Sequence, residues 1–372
     1  MRIHSVETRL VQLPGEESLA GGPMPSGLTR DFVTATVRTD EGIEGIGFGF
    51  LFGNRLTTAL KSALDELCGL VLGDDPLQHA AVHRKLSQAI SAGGPEGLAL
   101  IALSAIDIAL WDIKARAAGL PLATLLGACQ TSLPAYASGA LRREYGREQL
   151  ERSASRLREA GFRQMKMQLA LPGTPTVAQE LDMARVVRDA VGPDTDLMVD
   201  INHRWSGRQA LSMAPRLEEF GFYWLEDPVA RDDYAGMAAI AQSLATPLAS
   251  GEAVFGIVPF RQLMQAGSID IAMVDVFRVG GVTGWMKVAA MAEAFNLPVT
   301  SHLAPEISVH LVGALPNGLN VEYIPWSFGM FQEVPQPVDG MLAPFGRPGL
   351  GLEFDADAMR RWGSAPTRIG PR

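Results

Sequence analysis

Residues 129–334 predict an α/β barrel of parallel strands, and residues 1–128 a smaller α+β domain beside it. Three observations carry this expectation. After residue 132 eight short apolar runs follow one another, LPAYASG, FRQMKMQL, DLMVDIN, FYWLED, PLASGE, IDIAMVDV, PVTSHL and LNVEYI, with helical stretches between them. Repeated βα units at that pitch close into a barrel. A doubly wound open sheet is the competitor, but no phosphate-loop motif accompanies the units. Before residue 128 the texture differs, with alternating antiparallel-type strands followed by helices. Finally, nearly every run after residue 132 ends in a polar or ionisable group, and the C-terminal strand ends are where a barrel carries its active-site face.

Residues 1–13 and 31–50 alternate as strands do, with Asp40-Glu41-Gly42 as the turn of a hairpin. Between them LPGEESLAGGPMPSGLTR is long enough for a lid or binding loop. Gly45-x-Gly-x-Gly49 sits in the hairpin and not between strand and helix, so it reads as room for the hairpin and the 50–56 loop to approach the barrel mouth. Helices are expected over 55–72, 76–91 and 95–118. His79 and His83 have the spacing of helical metal ligands but lack an acidic partner, and read as a solvated face. LALIALSAIDIALWDI (98–113) contains Asp107 and Asp112, so it reads as a buried helix and not a membrane span. The tail, 335–372, is Pro/Gly-rich and reads as returning to the first domain.

A net charge of −9 and a pI near 5.3 argue against nucleic acid or an anionic membrane surface as partner. An anionic small substrate would then need a local positive charge. Cys68 and Cys129 have no motif spacing, which favours a reducing cytoplasm without a disulfide framework. MRIHSVETRLVQLP is polar-alternating from its start and does not read as a signal peptide.

The last residues of the barrel runs are Ser138, Lys166, Gln168, Asp200, Asn202, Glu226, Glu252, Asp275, His302 and Glu322. Asp200, Glu226 and Glu252 follow at intervals of 26 residues, so three successive strands aim a carboxylate at one point. Unpaired carboxylates that close repel one another, and a divalent cation resolves the conflict. All-oxygen ligands suit Mg²⁺, with Mn²⁺ as the alternative, and do not suit zinc. Separate surface acids at loop starts are the competing reading, which strand-end positions disfavour. Asp275 and His302 end adjacent strands, so the carboxylate can orient the imidazole and raise its basicity. A satisfied core histidine describes His310 better. Lys166 alternates with Met165 and Met167, and a buried ammonium needs a partner.

The order Lys, Asp-x-Asn, Glu, Glu, Asp, His, Glu on successive strands resembles the enolase superfamily, specifically its mandelate racemase-like subgroup. AIDIALWDIKARAAGLPLATLLG, DVFRVGGVTGW, TSHLAPEISVHL and the closing PGLGLEFD are similarly family-like, and the resemblance covers nearly the whole chain. It implies a modified TIM barrel, (β/α)7β, under an α+β capping domain built from N- and C-terminal segments. It also implies Mg²⁺ on Asp200, Glu226 and Glu252, and abstraction of the proton α to a carboxylate to give an enediolate. His302 backed by Asp275 is then the base, and Lys166 a positive charge near the substrate carboxylate. Glu322, if protonated, donates to the other carboxylate oxygen. Such a site must stabilise the enediolate electrostatically, because an α-proton is a very weak acid. Members of the family usually assemble, so a homo-oligomer is expected.

The racemase pattern has Lys-x-Lys at the end of the second barrel strand, where this chain reads Lys166-Met167-Gln168. Glutamine cannot accept and return a proton, which removes the second base of a racemase. A single base suits β-elimination: His302 takes the α-proton, and its imidazolium protonates the leaving β-hydroxyl. Acid sugar dehydratases of the subgroup work in this way, and Asn202-His203-Arg204-Trp205 resembles their Asn-x-x-Trp segment. Asn202, His203 and Trp205 are therefore expected to contact a polyol chain, with loop packing the competing reading for His203 and Trp205. Ser138, Gln168 and Arg278, together with Met24, Arg30, Phe52 and Arg55 from the lid and the 50–56 loop, complete the expected substrate contacts. The alternatives are an isomerase, racemase or epimerase of an α-hydroxy acid, and a non-catalytic metal-binding paralogue.

Overall fold

The computed structural model describes residues 1–17, 19, 22–23 and 29–371. The N-terminal strands β1 (Ile3–Pro14), β2 (Thr29–Thr39) and β3 (Glu44–Phe50) form an antiparallel meander. Helices α1 (Thr57–Leu70) and α3 (Leu98–Ala117) pack on this sheet, and α2 (His79–Ser91) packs on α3. Helix α3 is apolar on all sides and buried nearly throughout, as such a pattern requires. It lies so close to β3 that a Cβ at Gly45 or Gly47 would collide with the carbonyl oxygens of Ala109 or Ala105. The glycines thus admit a helix against the sheet, while the aromatic residues of the same hairpin reach the barrel, Phe48 meeting Phe277 at 5.2 Å and Phe50 meeting Trp326 at 5.9 Å.

Eight parallel strands make the barrel: β4 (Leu133–Leu141), β5 (Gln164–Gln168), β6 (Asp196–Asp200), β7 (Leu225–Glu226), β8 (Leu248–Ser250), β9 (Ile271–Asp275), β10 (Val299–His302) and β11 (Val321–Tyr323). Each pairs with the next as far as β10, and β11 pairs with β4. The ring closes between β10 and β11 through Val299 N–H to Asn317 O and Leu319 N–H to Val299 O, both 2.9 Å. Seven helices connect the strands on the outside: α4 (Arg147–Glu159), α5 (Val177–Val191), α6 (Gly207–Leu217), α7 (Tyr234–Ser243), α8 (Val258–Gln265), α9 (Gly281–Ala294) and α10 (Pro305–Gly313). The architecture is that of a (β/α)7β barrel with a capping layer. Beyond the barrel, β12 (Thr367–Ile369) pairs antiparallel with β1, so the chain returns to the N-terminal sheet.

Register sets the height of the site. Gln168 lies opposite Asp200, Asp200 opposite Glu226, and Asp275 opposite His302. Below them Tyr136, Met198, Trp224, Ala249, Ile271 and Met273 fill the barrel as a separate apolar plug. Several strands end on non-glycine residues with positive φ: Ala170 (61°), Asn202 (49°), His203 (60°), Asp227 (44°), Leu303 (55°) and Ala304 (45°). Each such residue costs of order 1–3 kcal/mol and turns the chain sharply at the mouth. The run FYWLED pairs as a strand only at Leu225 and Glu226 because the left-handed turn at Asp227 ends it.

Two decoys resolve here. His310 is a core histidine, accepting from Ala123 N–H (3.2 Å) and facing Leu350 O (3.1 Å). His79 and His83 are not a solvated face: His79 packs on Trp111 at 4.1 Å, and His83 Nε2 lies 3.0 Å from Gly280 O. Both seal α2 onto its neighbours, which the i, i+4 spacing alone does not reveal.

Candidate active site

Asp200, Glu226 and Glu252 come together at the barrel mouth, one ligand oxygen of each within 4.8 Å of the others. Two of the three are firmly held. Asp200 accepts from Asn202 N–H (2.7 Å) and Asn202 Nδ2 (2.5 Å), and Glu226 accepts from Trp224 Nε1 (2.8 Å). Burial pushes the Asp200 carboxyl up to about 7, against the pull of Lys166 and with the repulsion of Glu252. Burial likewise raises Glu226, again against Lys166 and with Asp200 adding to the rise. Glu252 goes the other way: burial would raise it, but His302, Lys166 and Arg278 bring it down to about 2. An oxygen-only, largely buried, mutually repelling donor set fits a hard divalent cation of the Mg²⁺ type.

Lys166 is the buried cation of this cluster. Its Nζ lies 2.5 Å from Glu226 Oε1 and 3.0 Å from Glu322 Oε1, above the Tyr136 ring. Burial opposes its charge, but Glu226 and Glu322 hold its pKa well above the ordinary lysine range. Glu322 also accepts from Leu303 N–H (2.7 Å) and from the Ser138 hydroxyl. Burial would raise it, yet Lys166 and His302 lower it. Glu322 is thus a carboxylate accepting on both oxygens, where the sequence reading has a protonated donor.

His302 and Asp275 meet as expected, Nδ1 to Oδ2 at 2.7 Å. The other ring nitrogen, Nε2, is 3.2 Å from Glu252 Oε2. Burial lowers the imidazole pKa, but Glu252, Glu322 and Asp275 together raise it above the ordinary value. Phe52, from the loop after β3, stacks over the imidazole at 6.2 Å and remains exposed. This is the one ring contact between the 50–56 loop and His302 among the described residues.

A cavity of about 420 Å³ opens above these groups, a size that suits a small ligand. Phe52, Ser138, Lys166, Gln168, Asp200, Asn202, His203, Glu252, Arg278, His302 and Glu322 all line it. A cleft of about 480 Å³ elsewhere has Arg38 paired with Glu7 and Glu44, and Arg116 paired with the buried Asp112.

Among the described residues, three expected contacts are not brought to this cavity. Trp205 is buried in the main core, as an apolar ring at a tight turn packs most readily inward. Arg55 is exposed and outside the lining. Arg30 is buried with its guanidinium 4.4 Å over Trp326, so it backs a wall residue instead of facing the cavity. Met24 lies outside the described residues. Asn202 lines the cavity, but its backbone N–H and its Nδ2 donate to Asp200 and its Oδ1 accepts from Arg143.

Sequence reasoning missed Asp227, whose Oδ2 lies 3.0 Å from His203 Nε2 while His203 Nδ1 faces Val229 O at 2.8 Å. Burial opposes protonation of His203, but Asp227 raises it to about 9, so the cavity wall carries an imidazolium. The doubled acid of LEDP was the available signal. Arg142 and Trp326 also line the cavity and were not singled out, since nothing in their spacing marks them.

Three clustered carboxylates, two buried and Glu252 partly exposed, beside a histidine–aspartate pair and a lysine, form the constellation of one barrel family. Residues 149–358 match the family described as enolase C-terminal domain-like, and residues 23–127 match the mandelate racemase / muconate lactonizing enzyme N-terminal domain. The chain belongs to the enolase superfamily, in its mandelate racemase-like branch. Similar proteins include the L-talarate/galactarate dehydratase of Salmonella typhimurium, 33% identical over 91% of this chain and 84% of that protein. Another is the 3,6-anhydro-alpha-L-galactonate cycloisomerase of Streptomyces coelicolor, 31% identical over 96% of this chain and 99% of that protein. Among solved structures, L-talarate dehydratase from Polaromonas sp. JS666, complexed with Mg and L-glucarate, superposes with a TM-score of 0.90. It is 31% identical and covers 100% of this chain and 99% of its own. This enolase-superfamily chain has no described helix long and apolar enough to cross a membrane.

Proposed function

We propose that this enzyme dehydrates an acid sugar to a 2-keto-3-deoxy acid through an enediolate, with His302 as its single acid–base group. The observation that carries the reading is the contrast at the cavity wall. His302 is oriented by the Asp275 carboxylate beside the metal-type acids, while Gln168 at the end of β5 cannot titrate.

His302 Nε2 takes the α-proton, and Asp275 on Nδ1 holds the tautomer and stabilises the imidazolium that forms. The electron pair released from the C–H bond becomes the enediolate. Lys166 and the imidazolium of His203 keep positive charge near the cavity, which favours an anionic substrate. A divalent cation on Asp200, Glu226 and Glu252 would supply the charge that offsets the negative charge gathering on the substrate carboxylate. As the enediolate collapses, the C–O bond to the β-hydroxyl breaks, and the His302 imidazolium gives its proton to the departing oxygen. Water leaves, and the resulting enol becomes the 2-keto acid. Glu322 and Glu226 fix Lys166 between them, so its charge stays aimed at the mouth.

Relatives that are cycloisomerases begin with sugar acids as well, so the product separates the two readings. The test is a panel of aldonates and aldarates with Mg²⁺, including talarate, galactarate, mannonate and xylonate, read by mass and by a keto-acid assay. A keto product lighter by one water supports dehydration. Products of unchanged mass would replace it with isomerisation.

A further inference from the structure

We propose that helix α3 of the capping layer positions the His302–Asp275 pair, acting through Ser104 and Asp107 as positioning residues. The proposal rests on the reading of His302 as the base, and its contacts run in an unbroken series. Asp275 presents Oδ2 to His302 and takes the backbone N–H groups of Phe277 (2.7 Å) and Arg278 (3.1 Å) on Oδ1. The rotation of the carboxylate is therefore set by the turn that follows β9. That turn is gripped from the capping side. Ser104 Oγ reaches Phe277 O at 2.7 Å, sharing its one proton with Leu100 O at 2.8 Å. Three residues further on, the fully buried Asp107 accepts from Thr283 N–H (2.8 Å) and Thr283 Oγ1 (2.6 Å) in the first turn of α9. Trp111 Nε1 then donates to Thr283 Oγ1 at 2.9 Å.

The intervening chain is built for this approach. Gly280 and Gly281 have φ of 92° and 76°, and a Cβ at Gly281 would overlap the Asp107 carboxylate. Simple adhesion between the layers does not need such an arrangement. Burial pushes the Asp107 carboxyl up to about 7, and apolar side chains of similar volume join two layers without that penalty. Directional acceptors, by contrast, fix where the turn sits. The same turn carries Arg278, which lines the cavity, donates to Glu252 O and lies over Phe52 at 5.5 Å. Displacing it would move the base's partner and a wall residue together, and a misplacement of about 1 Å can cost roughly a hundredfold in rate.

The experiment uses full-length Ser104→Ala and Asp107→Asn with Mg²⁺ present, and reads three quantities. These are the low-field proton resonance of the His302–Asp275 hydrogen bond, the split of kcat against KM, and Tm. The resonance is assigned by its loss in Asp275→Asn. Both variants should shift or broaden it and lower kcat by about tenfold or more, with KM changed less than about twofold. Ser104→Ala removes one hydrogen bond and little volume, so it keeps the test open if Asp107→Asn does not fold. A folded Ser104→Ala with a lower Tm but unchanged resonance and kcat would reduce α3 to a structural prop and overturn the proposal. The resonance does not depend on turnover, so loss of the His302 base reading through an active His302→Asn enzyme is a separate result.

Discussion

Lys166 and Gln168 sit two residues apart on β5, and the cavity treats them differently. Lys166 is held between Glu226 and Glu322, whereas Gln168 presents to the cavity an amide that cannot act as a base. Exchange of the α-proton should then occur from one face only, and the residual substrate recovered from D₂O should show retention at the α-carbon by NMR. Inverted substrate would reveal a second base. His310 gives a test of stability at the same scale. Burial lowers its pKa from 6.5 to about 4, so between those values the unfolded chain binds the proton more readily than the folded one. The stability it protects is present above pH 6.5 and is lost as pH falls towards 4, on the order of 3 kcal/mol in all. Denaturant melts of wild type and His310→Gln should diverge from one another across that window. The ligand acids and the His302–Asp275 pair were legible because they stand at strand ends in sequence. The ionised state of Glu322 was not, since it depends on Lys166 of β5 and the Leu303 N–H just past β10 meeting it.

At the scale of elements, the hairpin glycines carry the clearest consequence. A Cβ at Gly47 would meet the backbone of Ala105 and not a flexible side chain, so α3 must shift away from β3. Gly47→Ala should cost about 1–3 kcal/mol or more and lower Tm by several degrees. Gly146→Ala, with open space around it and φ of −73°, should change Tm little. Strand and helix order was readable from period and turn residues. The purpose of Gly45-x-Gly-x-Gly49 was not, because close approach of a helix leaves no mark on the strand beyond the missing side chains. The length of β7 was overestimated for a related reason: FYWLED has strand composition throughout, and the tertiary turn at Asp227 overrides it.

Across the whole molecule, the capping layer and the barrel share one polar seam, and the barrel mouth concentrates buried negative charge. Any divalent cation that binds the native mouth and not the unfolded chain will stabilise the fold by mass action, about 2.7 kcal/mol at a hundredfold excess over Kd. Thermal melts should show a saturable rise in Tm with Mg²⁺, reversed by chelation and lost in Glu252→Gln. The cap-and-barrel plan was visible in the change of texture near residue 130. The seam that joins the two was not, since Ser104 and Asp107 look like ordinary interruptions of an apolar helix until α9 is brought against them. The most direct measurement is NMR of a sugar acid turned over in D₂O with Mg²⁺ by wild type and His302→Asn. Wild type should form the 2-keto-3-deoxy acid, and the variant should show neither product nor α-proton exchange, a loss of about a thousandfold or more. α-Proton exchange or keto-acid formation by His302→Asn at near wild-type rate would contradict a single histidine base.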